Sequence, residues 1–322
     1  MAPGKIPAEL VSRLASQQRL RQARPDRARI KVNLYTDAEA RAVAAAVSDL
    51  ERSGEPSRID CLMIGDSYLM THLGRASTRL EGEAEQAEVF AMMLDLVKGV
   101  AREAKDFPGD PRPWVLADLP DGAASTPAKA LDSIRRMLDA GADAVKVEVI
   151  SPAVFDAIAE AAAQGAPTVA HIGYKPQVGT NRKYGDTEDE ALALFEEARI
   201  ARDAGAFGLV LERVSQPVMG LITRPHDRGL PVWAIFCGQA PGAGQSLNVF
   251  DSVVRPSFAA FGFPPTSTLS RDAFPAGYTH EVISRHFAAL LGLAYAGTFP
   301  PRLSSALDEA ALGRLGKSAV WG

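Results

Sequence analysis

The stretch Ala140-Gly141-Ala142-Asp143-Ala144-Val145-Lys146-Val147-Glu148 decides the fold. It opens where an Ala-rich segment of helical period stops at a glycine, and it turns at once into residues that alternate with period two. Successive side chains of a strand point to opposite faces, so Lys146 and Glu148 share one face and Val145 and Val147 the other. A lysine and a glutamate aimed inward are costly without a ligand or a partner, the simplest partner being each other. The same order of helix, glycine and strand recurs at Gly165 and Gly205, each placed where a left-handed residue ends a helix.

Working outward, the apolar or β-branched runs Ile30 to Tyr35, Cys61 to Ile64, Trp114 to Ala117, Ala144 to Val149, Thr168 to Ile172, Gly208 to Leu211 and Val232 to Phe236 read as strands. Helical stretches lie between them: Asp37 to Arg52, Ala84 to Ala104, Pro127 to Ala140, Pro152 to Ala163 and Thr187 to Ala204. Strict alternation means parallel strands with crossover helices, and the segment after Gly238 is expected to supply an eighth unit. The polar residues then separate a barrel from an open sheet. Asp66, Asp118, Lys146 with Glu148, His171 and Glu212 sit at the C-terminal ends of different strands, and in a (β/α)8 TIM barrel those ends meet on one face. An open sheet would be expected to carry a Gly-rich phosphate turn; Gly65-Asp66-Ser67 lacks that spacing and Gly242-Ala243-Gly244 matches it weakly.

Composition agrees with a globular chain of this kind: 322 residues, 47% hydrophobic, with a formal net charge of -4. That charge provides no phosphate-tracking field, so nucleic acid is excluded as a main partner. No apolar run is long enough to span a bilayer, and two cysteines, Cys61 and Cys237, make no disulfide framework, so a cytoplasmic protein without membrane partners is expected. Residues 1–29 are Arg-rich, as an organelle transit segment would be, but without Ser-rich character or an evident cleavage site they read as an N-terminal helical arm, with Ile6, Leu10, Val11 and Leu14 on one side. Residues 30–322 read as a single (β/α)8 barrel domain with a C-terminal helical extension.

Asp66, Asp118 and Glu148 offer only oxygen, the donor type of a hard ion such as Mg²⁺; each also has the simpler reading of a helix cap. His171 closes the apolar run Val169-Ala170-His171, where a lone histidine is often just a hydrogen-bonded core residue. Glu212 closes Gly208-Leu209-Val210-Leu211, a place that suits a general base or, more simply, a salt bridge to Arg213 or Lys146. Cys237 reads as a buried thiol, and His72, His226, His280 and His286 read as surface or interface residues.

The ordered set Gly65-Asp66-Ser67, Ala117-Asp118-Leu119-Pro120, Ala140 to Glu148, His171-Ile172-Gly173-Tyr174-Lys175-Pro176-Gln177, Ala204-Gly205-Ala206-Phe207, Leu209-Val210-Leu211-Glu212 and the closing Gly297-Thr298-Phe299-Pro300 resembles the ketopantoate (3-methyl-2-oxobutanoate) hydroxymethyltransferase family. The resemblance implies a (β/α)8 barrel of the phosphoenolpyruvate mutase and isocitrate lyase superfamily, a role in pantothenate biosynthesis, Mg²⁺, 5,10-methylenetetrahydrofolate as one-carbon donor, a small 2-oxo acid as substrate and a homo-oligomer, often a decamer. It would make Asp66 and Asp118 metal ligands that also face the substrate, Glu148 a third metal contact, Ser67 and Lys146 substrate-binding residues, Glu212 the proton acceptor and His171 a lining residue. No residue is assigned to the pterin. The chain departs from the family's pattern at Asp121-Gly122-Ala123-Ala124, Val149-Ile150 and Phe236, which implies an acyl pocket of different volume or polarity. Two other classes use the same residues: a superfamily lyase or hydrolase, against which stands the absence of the lyases' Lys-Lys-Cys-Gly-His loop, and a non-catalytic paralogue, which would be expected to have lost a ligand or the base.

Overall fold

Eight strands pair in parallel in chain order, and the last returns to the first, which closes a barrel. The computed structural model describes residues 30–109, 112–179, 182–224, 226, 229–240, 242–249, 279–297, 304–318 and 320–321. In chain order the elements are β1 (Ile30–Leu34), α1 (Asp37–Ser53), β2 (Cys61–Ile64), α2 (Tyr68–Thr71), α3 (Gly82–Glu103), β3 (Trp114–Asp118), α4 (Pro127–Asp139), β4 (Ala144–Glu148), α5 (Ala153–Ala163), β5 (Thr168–Gly173), α6 (Glu188–Asp203), β6 (Gly208–Glu212), α7 (Gln216–Ile222), β7 (Val232–Ile235), β8 (Gly244–Asn248), α8 (His280–Tyr295) and α9 (Glu309–Leu315). The expected eighth strand is β8, which pairs with both β7 and β1. The expected arm over residues 1–29, and Thr298 to Pro300 of the closing motif, lie outside the described residues.

Local chemistry sets the boundaries. β1 ends at Leu34, one residue short of the expected Tyr35, because the Tyr35 backbone N–H donates to Glu39 Oε2 (2.6 Å) instead of to a neighbouring strand. Glu39 also accepts from Thr36 N (2.8 Å), while Glu39 N donates to Thr36 Oγ1 (3.2 Å), a capping box that starts α1 in the loop directly after the strand. At the other ends of the units, Gly141 and Gly205 have φ of 107° and 87° and would bring a Cβ to 2.8 Å and 2.7 Å from Ala101 and Ala162, so each glycine allows both the turn and the close helix packing.

Alternation along the strands makes two cores. Outward-facing Val32, Leu34, Leu62, Ile64, Val145 and Val147 pack beneath the helices. Inward-facing Cys61, Met63, Trp114, Leu116, Ala144, Val169, Val210, Trp233 and Ile235 fill the barrel, with the Trp114 and Trp233 rings 5.5 Å apart. The barrel is thus a packed core and not a pore, and the apolar filling stops where Asp118, Lys146, Glu148, His171 and Glu212 begin. α8 packs against α1 and β8, and Trp321 donates from Nε1 to Ile222 O (3.0 Å), which ties the chain's end to α7. Trp114→Ala should lower stability by about 3–5 kcal/mol, the cost typical of truncating a large buried aromatic, read as a lower midpoint in urea denaturation.

Candidate active site

The C-terminal strand ends open into one pocket, enclosing with its mouth about 460 Å³, lined by residues that include Asp66, Ser67, Asp118, Lys146, Glu148, His171 and Glu212. All seven residues singled out in the sequence therefore reach the same space. Closure of the barrel is what gathers them: Asp118 is in register with Lys146 across β3 and β4, and Glu148 with His171 across β4 and β5. Gly173 at the end of β5 brings β6 close, since a Cβ there would meet Glu212 O at 2.4 Å.

Lys146 is the hub. Its Nζ lies 2.8 Å from Asp118 Oδ1 and 3.1 Å from His171 Nδ1, so the Lys146–Glu148 pair suggested by strand alternation gives way to partners on both neighbouring strands. Burial pulls the Lys146 ammonium toward the neutral form, but Asp118, Glu148 and Asp66 outweigh it and hold the proton more firmly than usual. His171 is pushed down to about 4, first by burial and then by the Lys146 charge. It is therefore neutral, and with Nδ1 accepting from Lys146 its proton sits on Nε2, 3.3 Å from Glu212 Oε2. The result is a continuous polar line from Asp118 through Lys146 and His171 to Glu212.

The second acidic group is held by a loop. Gln177 donates from Nε2 to Asp66 Oδ2 (3.0 Å) and Leu119 O (2.9 Å), and from its backbone N to Glu148 Oε2 (3.2 Å). Asp66 N in turn donates to Asp118 Oδ2 (3.2 Å). Burial, then repulsion from Asp118 and Glu148, raises the Asp66 carboxyl well above its usual range, and burial pushes Glu148 up to about 8. Three carboxylates crowded together with so little water call for a cation. Among the described residues, no three His, Cys, Asp or Glu side chains gather closely enough to hold a metal ion unaided. Mg²⁺ nevertheless suits these donors, because it commonly takes one or two carboxylates and completes its shell with substrate oxygens and water. Glu148 Oε1 is buried with no hydrogen-bond partner, and Asp118 Oδ1 meets Lys146 as an ion pair outside hydrogen-bond geometry, so anionic oxygen remains available.

Several residues that hold or line the site were not singled out in the sequence. Gln177 sits in a loop, where no periodicity tells which way a side chain points. Lys31, Asn33 and Asn248 also line the pocket; Lys31 and Asn33 alternate with Ile30 and Val32 just as Lys146 and Glu148 alternate with Val145 and Val147, and that signal was legible. Of the residues expected to reshape the acyl pocket, Phe236 lines it and has φ of 56°, a left-handed conformation that costs a bulky residue about 1–3 kcal/mol. Asp121 instead accepts from Leu80 N (2.9 Å), and Val149 is buried in the outer core. Cys237 is a buried thiol pushed up to about 12 by burial, and it donates to Ile235 O (3.1 Å). His286, expected at a surface, is fully buried on α8, and His72 stacks on Tyr68 with ring centroids 4.6 Å apart.

The family model of ketopantoate hydroxymethyltransferase matches residues 36–264, which include β2 to β8 and every lining residue named above except Lys31 and Asn33. The chain belongs to that family. The 3-methyl-2-oxobutanoate hydroxymethyltransferase of Pyrobaculum islandicum is 31% identical over 234 residues, covering 71% of this chain and 80% of that protein. The enzyme of the same name from Cenarchaeum symbiosum is 36% identical over 212 residues, covering 62% and 74%. Among solved structures, 2,3-dimethylmalate lyase, described as a PEP mutase/isocitrate lyase superfamily member, aligns over 94% of both chains with 16% identity and a TM-score of 0.46. The hydroxymethyltransferase family is one of transferases, and among the described residues no helix is long and apolar enough to cross a membrane.

The His171 assignment can be read directly. Nitrogen NMR should find the Nε2–H tautomer and a midpoint near the depressed value of about 4. Because the folded midpoint lies below the unfolded value of 6.5, the unfolded chain binds this proton first. Stability from this residue is therefore complete above the unfolded midpoint and is lost as pH falls toward the folded one, and His171→Gln should remove that part of the acid slope.

Proposed function

We propose that the chain transfers a one-carbon unit from 5,10-methylenetetrahydrofolate to C3 of 3-methyl-2-oxobutanoate or a close analogue, through the enolate of the 2-oxo acid. The observation that carries this reading is the convergence of Asp66, Asp118, Lys146 with Glu148, and Glu212 from separate strands on one pocket, in a chain of the hydroxymethyltransferase family. Asp66, Asp118 and Glu148 would hold Mg²⁺. When bound, the ion supplies positive charge beside the oxygen on which negative charge develops as C3 is deprotonated.

The protein's own groups do the rest. Lys146 keeps its proton and offers it as a charged hydrogen-bond donor to the acid's carboxylate end, with Ser67 Oγ, 3.1 Å from Tyr35 Oη, as a neutral donor nearby. Glu212 takes the C3 proton onto a carboxylate oxygen. His171 Nε2 lies 3.3 Å from that carboxylate, outside hydrogen-bond geometry, and as a neutral imidazole it brings no charge of its own there. Gln177 keeps Asp66 and Glu148 apart and oriented. One water opens the donor's methylene bridge, breaking both C–N bonds to release tetrahydrofolate and formaldehyde. The enolate carbon adds to the formaldehyde carbonyl, and the alkoxide so formed takes the proton held by Glu212 to give the hydroxymethyl product, with Phe236 and Ile235 on the apolar pocket wall. A homo-oligomer is part of the same proposal.

Proton abstraction can be separated from carbon transfer. In D₂O with Mg²⁺, the protein should exchange the C3 hydrogen of its 2-oxo acid for deuterium without any folate, and Glu212→Gln should slow that exchange by about 10²-fold or more. Exchange that persists in Glu212→Gln removes Glu212 from the base role. Exchange with no product from methylenetetrahydrofolate or formaldehyde favours a different enolate reaction, and no exchange with any 2-oxo acid favours a non-catalytic protein.

A second expectation concerns the ion. EDTA should abolish the exchange and Mg²⁺ should restore it, while Gln177→Leu, which frees the Asp66 carboxylate, should weaken Mg²⁺ binding about 10- to 100-fold by calorimetry. Full exchange activity of Asp118→Asn in EDTA would exclude a metal role for these carboxylates.

A further inference from the structure

Lys31 is a second lysine in the pocket, and the chemistry just described makes no use of it. It faces inward on β1, is fully buried, and forms part of the pocket lining among Met63, Val210 and Ile235, where the apolar filling of the barrel meets the polar layer. Its surroundings differ from those of Lys146. Lys146 pairs with Asp118 at 2.8 Å, whereas Lys31 Nζ has Asn33 Oδ1 at 2.6 Å and Met63 Sδ at 3.1 Å. Among the described residues, no carboxylate forms an ion pair with it. An ammonium has three N–H donors, and here they find one amide oxygen and one thioether, a weak acceptor. A buried cation with a donor to spare, on the lining of a ligand pocket, is built to meet an anion.

The neighbours point the same way. Asn33 spends its oxygen on Lys31, which turns its amide nitrogen, a donor, into the remaining polar group of that side chain. The β1 side of the pocket thus offers donors, while Asp66, Asp118, Glu148 and Glu212 offer acceptors from β2, β3, β4 and β6. A 2-oxo acid engages the acidic side, with its cation and Lys146, through its carboxylate and keto oxygens. Its side chain then has the β1 side of the same pocket, which Lys31 lines, left to occupy.

We propose that Lys31 is the specificity-determining contact for the substrate side chain, and that the 2-oxo acid taken by this chain carries a second carboxylate at the end of that side chain. This rests on the reading of the pocket as a 2-oxo acid site and replaces 3-methyl-2-oxobutanoate there with a 2-oxo diacid as the acceptor. A branched hydrocarbon end would seal the Lys31 ammonium under apolar atoms and leave its spare donor unmet. A carboxylate end gives it a charge-assisted hydrogen bond. Burial, with help from Lys146, draws Lys31 down to about 8, so near neutral pH it is protonated for the most part and an arriving carboxylate strengthens that state.

The test is a ranking, so it does not depend on turnover. Mg²⁺-loaded protein is titrated calorimetrically with 2-oxoglutarate, oxaloacetate and 3-methyl-2-oxobutanoate, and C3 exchange in D₂O is followed for each. The wild type should bind the better of the two diacids at least about 10-fold more tightly than 3-methyl-2-oxobutanoate, since a site built to hydrogen-bond a group discriminates strongly against analogues that lack it. Lys31→Met should erase or reverse that preference. Lys31→Gln keeps a donor of similar reach and should fall between the two, and it serves as the comparison if the methionine variant does not fold. A wild type that prefers 3-methyl-2-oxobutanoate, or a ranking that neither variant changes, overturns the role of Lys31 and leaves the hydroxymethyltransferase reading intact. A Lys31-dependent preference for a diacid without C3 exchange of any acid supports Lys31 and overturns that reading instead.

Discussion

The ammonium of Lys146, wedged between Asp118 on one neighbouring strand and His171 on the other, is the contact on which the rest of the pocket depends. A buried charge of this kind is tolerated only when opposite charge and hydrogen bonds surround it. After burial, this ammonium is the second reason that His171 stays neutral, and its N–H fixes which imidazole nitrogen carries the proton on the side of Glu212. Removing it would leave Asp66, Asp118 and Glu148 crowded with no fixed positive neighbour. The strong upward displacement of Asp66 and Glu148 shows how close to that limit the site already lies.

The barrel and the acidic face of its pocket were legible because both follow from strand alternation. A charged residue at the inward position of an apolar strand has few places to go, and closure of the sheet takes Asp118, Lys146, Glu148, His171 and Glu212 to one end. Which of them pair with which was not legible. Lys146 and Glu148 look like partners two residues apart on one strand, yet the staggered register gives Lys146 a partner directly across, in Asp118. Gln177 escaped notice for another reason, since it reaches the carboxylates from a loop whose path depends on Gly173 and on the contact of that glycine with β6. Lys31 obeyed the rule that revealed Lys146, but it lies at the second residue of its strand, far from the end where functional groups are sought.

Phe236 shows a different limit. In sequence it extends the apolar run of β7, and nothing in its neighbours announces a left-handed backbone. The strand has ended one residue earlier, and the turn that carries the chain toward Cys237 and Gly238 places the ring on the pocket wall. Arg213, directly after Glu212, adopts the same backbone region, so two adjacent strands, β6 and β7, leave the barrel through strained residues. Strain held at such places persists only where the surrounding packing leaves no alternative, and here the two fully packed cores provide it.

Trp114 and Trp233 stopper the barrel from below, both with no exposure to solvent. Among the described residues that pair closes the base, so the two reactants of the proposed reaction share the mouth at the strand ends. In the proposed reaction an acid that reaches Lys31 and Lys146 lies deeper than a donor bound over it, and its product leaves after that donor. Under that proposal the tryptophan pair beneath the pocket gives the reaction an order of arrival and departure, with the upper ligand setting how long the lower one stays.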